Sequence, residues 1–101
     1  MAQQVIWTNP AKEDLYSIYN FVSDSISEQK GYETVKKIVS IGRVLEKKFV
    51  AASRYRSKID PEKDYRKLVW KHYLIIFKQE GQMIFMNRVF DARQNPEKLK
   101  L

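Results

Sequence analysis

The residues YRKLVWKHYLIIFKQEGQMIFMNRVF, positions 65–90, contain three runs with the composition of β-strands. Each run is rich in aliphatic and aromatic side chains, which strands favour. Short breaks at Lys71-His72 and around Gly81 separate the runs, and breaks of this length are typical of β-hairpins. The stretch therefore predicts three consecutive antiparallel strands. They span residues 65–70, 73–78 and 83–90.

Upstream of this stretch, the chain predicts one more strand and a first helix. Residues 3–8 are rich in β-branched and aromatic side chains and indicate a short strand. Asn9 is a suitable N-cap and Pro10 suits the first helical position. The apolar residues that follow recur every three or four positions, which indicates an amphipathic helix. They are Ala11, Leu15, Ile18 and Val22.

A second helix is predicted directly after the first. Ser25 and Glu28 have the spacing of a capping box, with Ser25 as the cap. Gly31 and Gly42 lie close to the apolar face of this helix, where a glycine lets another backbone or ring approach closely. The short connection predicts a helical hairpin. The apolar positions of this second helix are Val35, Ile38, Gly42, Leu45 and Phe49.

The order of elements is β-α-α-β-β-β, which predicts an α+β fold in a single domain over residues 1–101. We expect a curved antiparallel sheet packed on the N-terminal helical hairpin. Residues 50–64 are basic and irregular, and we expect a mobile connection with a short strand at Tyr55. Arg66, Lys67 and Arg88 interrupt apolar runs, so part of the second face of the sheet is expected to meet solvent or an anion.

The composition excludes several classes of function. The chain of 101 residues has no Cys and one His, which excludes a disulfide scaffold, a thiolate zinc site and a Cys nucleophile, and disfavours a Ser-His-Asp triad. No spacing of metal ligands or phosphate-binding glycine loop is present, so no metal and no cofactor is predicted. No run of about 18 apolar residues and no signal segment is present, so we expect a cytoplasmic protein without a membrane partner.

Charge is unevenly distributed along the chain. The formal net charge is +7, from 19 Lys and Arg against 12 Asp and Glu. Residues 1–28 hold one basic and four acidic residues, whereas residues 29–101 hold eighteen basic and eight acidic residues. Such a field indicates an anionic partner of one of three kinds: nucleic acid, an acidic protein segment or an anionic lipid surface. The alternative is a solvated basic surface. The basic face of the second helix holds Lys36, Lys37, Arg43, Lys47 and Lys48.

One enzymatic reaction remains open to these residue types. RNA cleavage by the 2′-hydroxyl needs cations and a group that moves protons, but no metal. Lys67, His72 and Tyr73, together with the arginines, offer such groups. His72 lies in a predicted turn, however, where a solvated surface histidine is the expected state. The tyrosines could stack on bases, although half-buried positions around a small core are expected for most of them. Trp7 and Trp70 are expected at the core or its edge.

Three motifs in order resemble the RelE/ParE toxin superfamily and together cover nearly the whole chain. The first is Val5-Ile6-Trp7-Thr8 followed by Ala11, Asp14-Leu15 and Ile18. The second is Tyr65-Arg66-Lys67-Leu68 followed by Tyr73-Leu74-Ile75-Ile76-Phe77. The third is residues 88–96, Arg-Val-Phe-Asp-Ala-Arg-Gln-Asn-Pro. The resemblance implies a small α+β toxin of a type II toxin–antitoxin pair, neutralised by an antitoxin with a flexible acidic segment.

The resemblance implies one of two activities. RelE-like members cut mRNA on the ribosome with basic sheet residues and a Tyr or His near the C-terminus. Here the position that resembles their strand arginine is Leu74, and no Tyr or His follows Arg93. The chain is therefore more similar to ParE-like members, which block DNA gyrase without being nucleases. A ribosome-dependent, metal-independent endoribonuclease is the first alternative, and a non-toxic relative that only binds an antitoxin is the second.

From this resemblance we expect a polar cluster that binds the target or the antitoxin and has no catalytic residue. Charge-assisted hydrogen bonds from its arginines would anchor partner carboxylates. Arg88→Ala and Arg93→Ala are expected to fold normally and to lose toxicity. Arg66 has a structural alternative, in which it satisfies carbonyls at a helix end. The cluster consists of Arg66, Arg88, Arg93 and Asn95.

Overall fold

The computed structural model describes residues 3–47, 53–55 and 63–93. This part of the chain forms two helices and one five-stranded sheet, which confirms the predicted α+β class. The short strand expected at Tyr55 is present, and most of the remaining segment 50–64 lies outside the described residues. The elements are β1 (Gln4–Trp7), α1 (Asn9–Ser25), α2 (Glu28–Lys47), β2 (Ser53–Tyr55), β3 (Tyr65–Trp70), β4 (Tyr73–Glu80) and β5 (Met83–Asp91).

The sheet has the order β1-β5-β4-β3-β2, and one of its pairings differs from the prediction. Strands β2 to β5 pair antiparallel, as expected. Strand β1 instead pairs parallel with β5, with Gln4 opposite Met83 and Trp7 opposite Met86. A parallel pair needs a long crossover between its strands, and here both helices and three strands supply it. The wholly antiparallel sheet was therefore a wrong prediction for this one edge.

Thr8 joins β1 to α1 and is the N-cap of α1, whereas Asn9 was the predicted cap. Its hydroxyl accepts a hydrogen bond from the Ala11 N–H at 3.3 Å, while Asn9 is already the first helical residue. The same hydroxyl lies 3.0 Å from the Met86 carbonyl and 3.1 Å from the Asn87 carbonyl of β5. Thr8 caps the helix because the strand pairing holds its oxygen at the helix entrance.

The two helices form the predicted hairpin through the short connection Ile26-Ser27. Ser27 rather than Ser25 caps α2, since its hydroxyl accepts from the Lys30 N–H at 3.1 Å. Close approach at both helical glycines is confirmed. A Cβ on Gly31 would lie 2.9 Å from the Tyr19 carbonyl oxygen, and one on Gly42 would lie 2.9 Å from Cζ2 of Trp7. The glycines therefore set how closely α2 packs on α1 and β1.

Apolar side chains form a cluster on each face of the sheet. The larger cluster lies between the helices and the sheet, with Ile38 and Ile75 fully buried, and Trp7 and Trp70 pack at its edge as expected. The smaller cluster centres on Tyr65, Ile76 and Phe90. The second face of the sheet is thus partly apolar, more so than the charged residues in β3 and β5 suggested.

Candidate functional site

Arg88 of β5 meets Asp14 of α1 in a bidentate ion pair. Arg88 Nε donates to Oδ2 of Asp14 at 2.7 Å, and Nη2 donates to Oδ1 at 3.0 Å. The backbone N–H of Val89 also donates to Oδ2, at 2.9 Å. Strand β1 ends opposite Met86, so Asp14 bonds to β5 just beyond the last paired residue of β1. The carboxylate of a helix residue thus accepts a hydrogen bond that the backbone of a neighbouring strand would otherwise accept.

The Arg88–Asp14 pair lies mostly inside the protein. The two side chains are 20% and 16% exposed, respectively. The hydrogen bond to Asp14 raises the pKa of the Arg88 guanidinium, against the opposing effect of burial. Removing one member would leave the other charge half-buried without its partner, which is unfavourable. The expectation that Arg88→Ala folds normally is therefore revised: the geometry gives Arg88 a structural contact.

A cavity of about 190 Å³ adjoins this ion pair, between α1 and the ends of β4 and β5. Phe21, an exposed aromatic residue of α1, is part of its lining. The cavity joins the Arg88–Asp14 pair to a second polar cluster. It is lined by Asp14, Ser17, Ile18, Phe21, Tyr73, Arg88, Val89, Phe90 and Asp91.

The second cluster forms around the carboxylate of Asp91, at the end of β5. Arg93 Nε donates to Oδ1 at 3.1 Å, Nη2 donates to Oδ2 at 2.9 Å, and the Arg93 backbone N–H donates to Oδ1 at 2.9 Å. The side-chain hydrogen bonds from Arg93 are the main reason that the pKa of Asp91 is lowered. Burial raises the pKa of the neighbouring Tyr73 hydroxyl, and Asp91 adds to this effect. Arg93 itself is 59% exposed, so its outer edge remains accessible.

His72 is placed differently from the sequence expectation. Its side chain is partly buried rather than solvated, and its ring centroid lies 4.2 Å from that of Tyr73. Nε2 lies 3.9 Å from Oδ2 of Asp91, beyond hydrogen-bond distance, and within the described residues it has no hydrogen-bond partner. His72 and Asp91 are therefore close together without forming a hydrogen-bonded dyad.

The other predicted site residues are not brought into this cluster. Arg66 lies on β3, which β4 separates from β5, and its guanidinium is 3.3 Å from Asp64. This contact, rather than a helix-end carbonyl, is the one that the structure gives Arg66. Asn95 lies outside the described residues. The predicted cluster of four thus contains two neighbouring arginines on β5 and its tail, and one distant arginine on β3.

The basic face of α2 is exposed as predicted. Lys36 lies over the ring of Tyr32, with Nζ 5.8 Å from the ring centroid. Both residues line a groove of about 350 Å³ along the helix. Lys48 lies outside the described residues. The exposed cations of this face are Lys36, Lys37, Arg43 and Lys47.

Two partners of the arginines, Asp14 and Asp91, were not identified as site residues from the sequence. A signal for Asp14 was available: it lies three residues after Ala11 and four before Ile18, so it shares the buried face of α1. An acidic residue on that face needs a buried partner. No comparable signal marks Asp91, because its contacts depend on where the chain turns after β5.

The described part of the chain presents exposed cations that can bind anions. Arg93 presents an exposed guanidinium, and α2 presents a row of cations. Within residues 3–47, 53–55 and 63–93, no group of three or more acidic or His side chains is arranged to hold a metal ion. None of the helices described is both long and apolar enough to cross a bilayer.

Comparisons with known proteins place the chain in a family. The family model described as "ParE toxin of type II toxin-antitoxin system, parDE" matches residues 5–96. Among solved structures, the chain is similar to one described as "Chromosomal ParDE TA system from P. aeruginosa", at 25% identity and a TM-score of 0.74. That likeness covers 90% of this chain and 97% of the other. A search of curated proteins gave no match. Since the family model covers most of the sequence, the chain belongs to the ParE toxin family of type II toxin–antitoxin systems.

Proposed function

We propose that this ParE-family protein inhibits DNA gyrase and thereby DNA replication, and that binding of a cognate antitoxin neutralises it. The family match over residues 5–96 is the observation that carries the proposal. DNA gyrase is the expected target because the sequence resembles ParE-like rather than RelE-like members. Arg93, with its accessible guanidinium, is the proposed anchor for carboxylates of gyrase.

The polar cluster on β5 supports a binding role over a catalytic one. In a catalytic His–Asp dyad, the imidazole is oriented by a hydrogen bond to the carboxylate. Nε2 of His72 lies 3.9 Å from the Asp91 carboxylate, which already accepts hydrogen bonds from Arg93. The carboxylate is thus engaged by an arginine, as in a binding surface built from charge-assisted hydrogen bonds.

The alternative function, cleavage of mRNA on the ribosome, has one observation in its favour. His72, Tyr73 and Arg93 converge on Asp91, so an imidazole, a phenol and a guanidinium share one end of the sheet. These are residue types that can move protons and stabilise phosphoryl charge. The proposal and this alternative predict different first effects in a cell.

A pulse-labelling time course after induction in a bacterial host separates the two functions. We expect thymidine incorporation to fall first while methionine incorporation persists. An earlier fall of methionine incorporation, with codon-phased cuts seen by primer extension, would instead establish mRNA cleavage. Unimpaired growth and labelling would contradict both activities and identify a non-toxic relative.

Two arginine variants make the test specific for the proposed anchor. Arg93→Ala is expected to fold, judged by circular dichroism, and to abolish the loss of thymidine incorporation. Arg66→Ala is the matched control, because Arg66 is also an exposed arginine paired with an aspartate. Equal toxicity of the wild type and Arg93→Ala would show that Arg93 does not anchor the target.

A further inference from the structure

The cavity of about 190 Å³ between α1 and the ends of β4 and β5 has room for one aromatic ring. A cavity of about 150 Å³ in the core of another protein binds benzene, so a six-membered ring fits this volume. Part of the lining is apolar. Ile18 and Phe90 are buried, whereas Phe21 is 58% exposed and lies where the cavity meets solvent. An incoming ring would therefore contact two phenylalanines and an isoleucine.

The polar part of the lining holds one free donor and one free acceptor. The Tyr73 hydroxyl forms no hydrogen bond within the part of the chain that the structure describes. Burial raises the pKa of Tyr73, so this hydroxyl keeps its proton and remains a donor. The Asp91 carboxylate accepts two hydrogen bonds at Oδ1 and one at Oδ2, all from Arg93. Each carboxylate oxygen has two lone pairs, so Oδ2 can accept one more hydrogen bond.

A phenol group matches both parts of the lining. Its ring suits the apolar wall, and its hydroxyl can donate to Asp91 and accept from Tyr73. A phenylalanine ring would fill the same space but leave these two polar groups unpaired, which is unfavourable. A cation is not required, because the carboxylates of the lining are already neutralised by Arg88 and Arg93. The cavity therefore favours a tyrosine side chain over a phenylalanine, a lysine or an arginine.

Two features indicate which partner supplies this side chain. Helix α1, one wall of the cavity, belongs to residues 1–28, which hold one basic and four acidic residues. An acidic antitoxin segment would be repelled there. Arg93, the proposed anchor for gyrase, bonds to the same Asp91 carboxylate that lines the cavity. The cavity and the anchor thus form one continuous surface.

We propose that this cavity receives a tyrosine side chain of DNA gyrase, with its ring against Phe21 and Phe90 and its hydroxyl bonded to Asp91 and Tyr73. The inference rests on the proposed inhibition of gyrase and adds the chemistry of the contact. Tyrosine is among the residues that contribute most to protein interfaces, where such side chains fill desolvated pockets.

Binding of p-cresol, the side chain of tyrosine as a free molecule, tests the cavity without gyrase. Amide chemical shifts of the purified full-length protein are followed by NMR during titration. We expect a dissociation constant in the millimolar range, as for other ligands of this size. Toluene lacks the hydroxyl and is expected to bind roughly fivefold more weakly or worse. Equal binding of toluene and p-cresol would overturn the role of the hydroxyl.

A substitution that fills the cavity connects it to gyrase. Ser17 is an exposed residue of α1 that lines the cavity, so Ser17→Phe is expected to fold and to occupy the site of the ring. This variant should lose p-cresol binding and should need about tenfold more protein to inhibit supercoiling by purified gyrase. Asn20→Phe is the matched control, because Asn20 is exposed on the same helix and does not line the cavity. It should behave like the wild type in both assays.

The possible results separate the cavity from the proposed function. Inhibition of gyrase by a wild type that does not bind p-cresol would overturn the inference and leave the proposed function intact. A wild type that binds p-cresol but does not inhibit gyrase would overturn the proposed function, and with it gyrase as the source of the tyrosine. Undiminished inhibition by Ser17→Phe would overturn the inference, as would a loss confined to antitoxin binding in calorimetry. Phe21→Ala, which removes one wall, replaces Ser17→Phe if circular dichroism shows that the latter does not fold.

Discussion

Arg88 shows how one side chain can join two distant elements of the chain. Its guanidinium and the Val89 N–H both donate to the carboxylate of Asp14, 74 and 75 positions earlier. Beyond Met86, where its pairing with β1 ends, an outward N–H of β5 would otherwise bond to water or to another strand. Asp14 satisfies it with a charged acceptor, so the contact orients α1 against β5.

Removing the Arg88 guanidinium is expected to destabilise the protein measurably. Arg88→Ala should lower the free energy of unfolding by about 2 kcal/mol, since hydrogen bonds to charged groups contribute roughly 1.5–3 kcal/mol. Urea denaturation followed by circular dichroism measures the change. Arg66→Ala, whose ion pair is exposed, should stay within about 0.5 kcal/mol of the wild type. Equal stability of the two variants would mean that the Asp14 contact contributes nothing.

Asp91 makes a pH-dependent contribution to the free energy of unfolding. Its pKa is lowered in the folded protein, mainly by hydrogen bonds from Arg93. Its stabilising contribution is therefore fully present above the unfolded pKa of about 3.9 and is lost as the pH falls through the lower folded value. Unfolding free energies of the wild type and Asp91→Asn, measured from pH 6 downward, should converge in acid. A constant difference across that range would show that the carboxylate charge is not involved.

At the scale of elements, α2 is positioned by close contacts of its glycines. Gly42 faces the ring of Trp7, which lies on β1, and Gly31 faces Tyr19 on α1. The absence of a side chain at these two positions lets α2 approach a strand with one turn and a helix with another. The helical hairpin is therefore held to the parallel edge of the sheet as well as to its core.

Gly42→Ala is expected to destabilise the protein although alanine is the better helix former. Alanine gains roughly 1 kcal/mol of helix propensity. Its Cβ would lie 2.9 Å from Cζ2 of Trp7, however, and such overpacking costs about 1–3 kcal/mol. Thermal unfolding should show a lower midpoint, and the loss should be smaller in a Trp7→Phe background, where the ring is shorter. A raised thermal midpoint for Gly42→Ala would mean that β1 moves away from the added methyl group without loss of stability.

At the scale of the whole molecule, the arginine clusters and an apolar groove lie in different regions of the surface. The arginine clusters gather at the end of β5 beside α1, whereas an apolar groove lined by residues such as Ile41 and Trp70 lies between α2 and β3. Strand β4 and the core separate these two regions. Substitutions at the end of β5 and substitutions in the groove therefore alter separate regions of the surface.

The sequence by itself determined the local elements and the family. Apolar periodicity predicted both helices and three hairpin strands, because these depend on neighbours within a few residues. It also placed Gly31 and Gly42 near the apolar face of α2, where they closely approach Tyr19 and Trp7. The predicted helix caps were wrong by one and two residues, since Thr8 and Ser27 cap the helices in place of Asn9 and Ser25. A cap is selected by where the preceding chain enters the helix, which spacing alone does not specify.

The tertiary structure decided which distant residues meet. Only the fold shows that β1 pairs parallel with β5, that Asp14 engages Arg88, and that His72 lies beside Asp91 while Arg66 does not join them. The groove between Ile41 and Trp70 likewise joins residues from separate elements. Composition and periodicity record which face of an element is buried. They do not record which element covers that face, because that depends on packing between segments far apart in the chain.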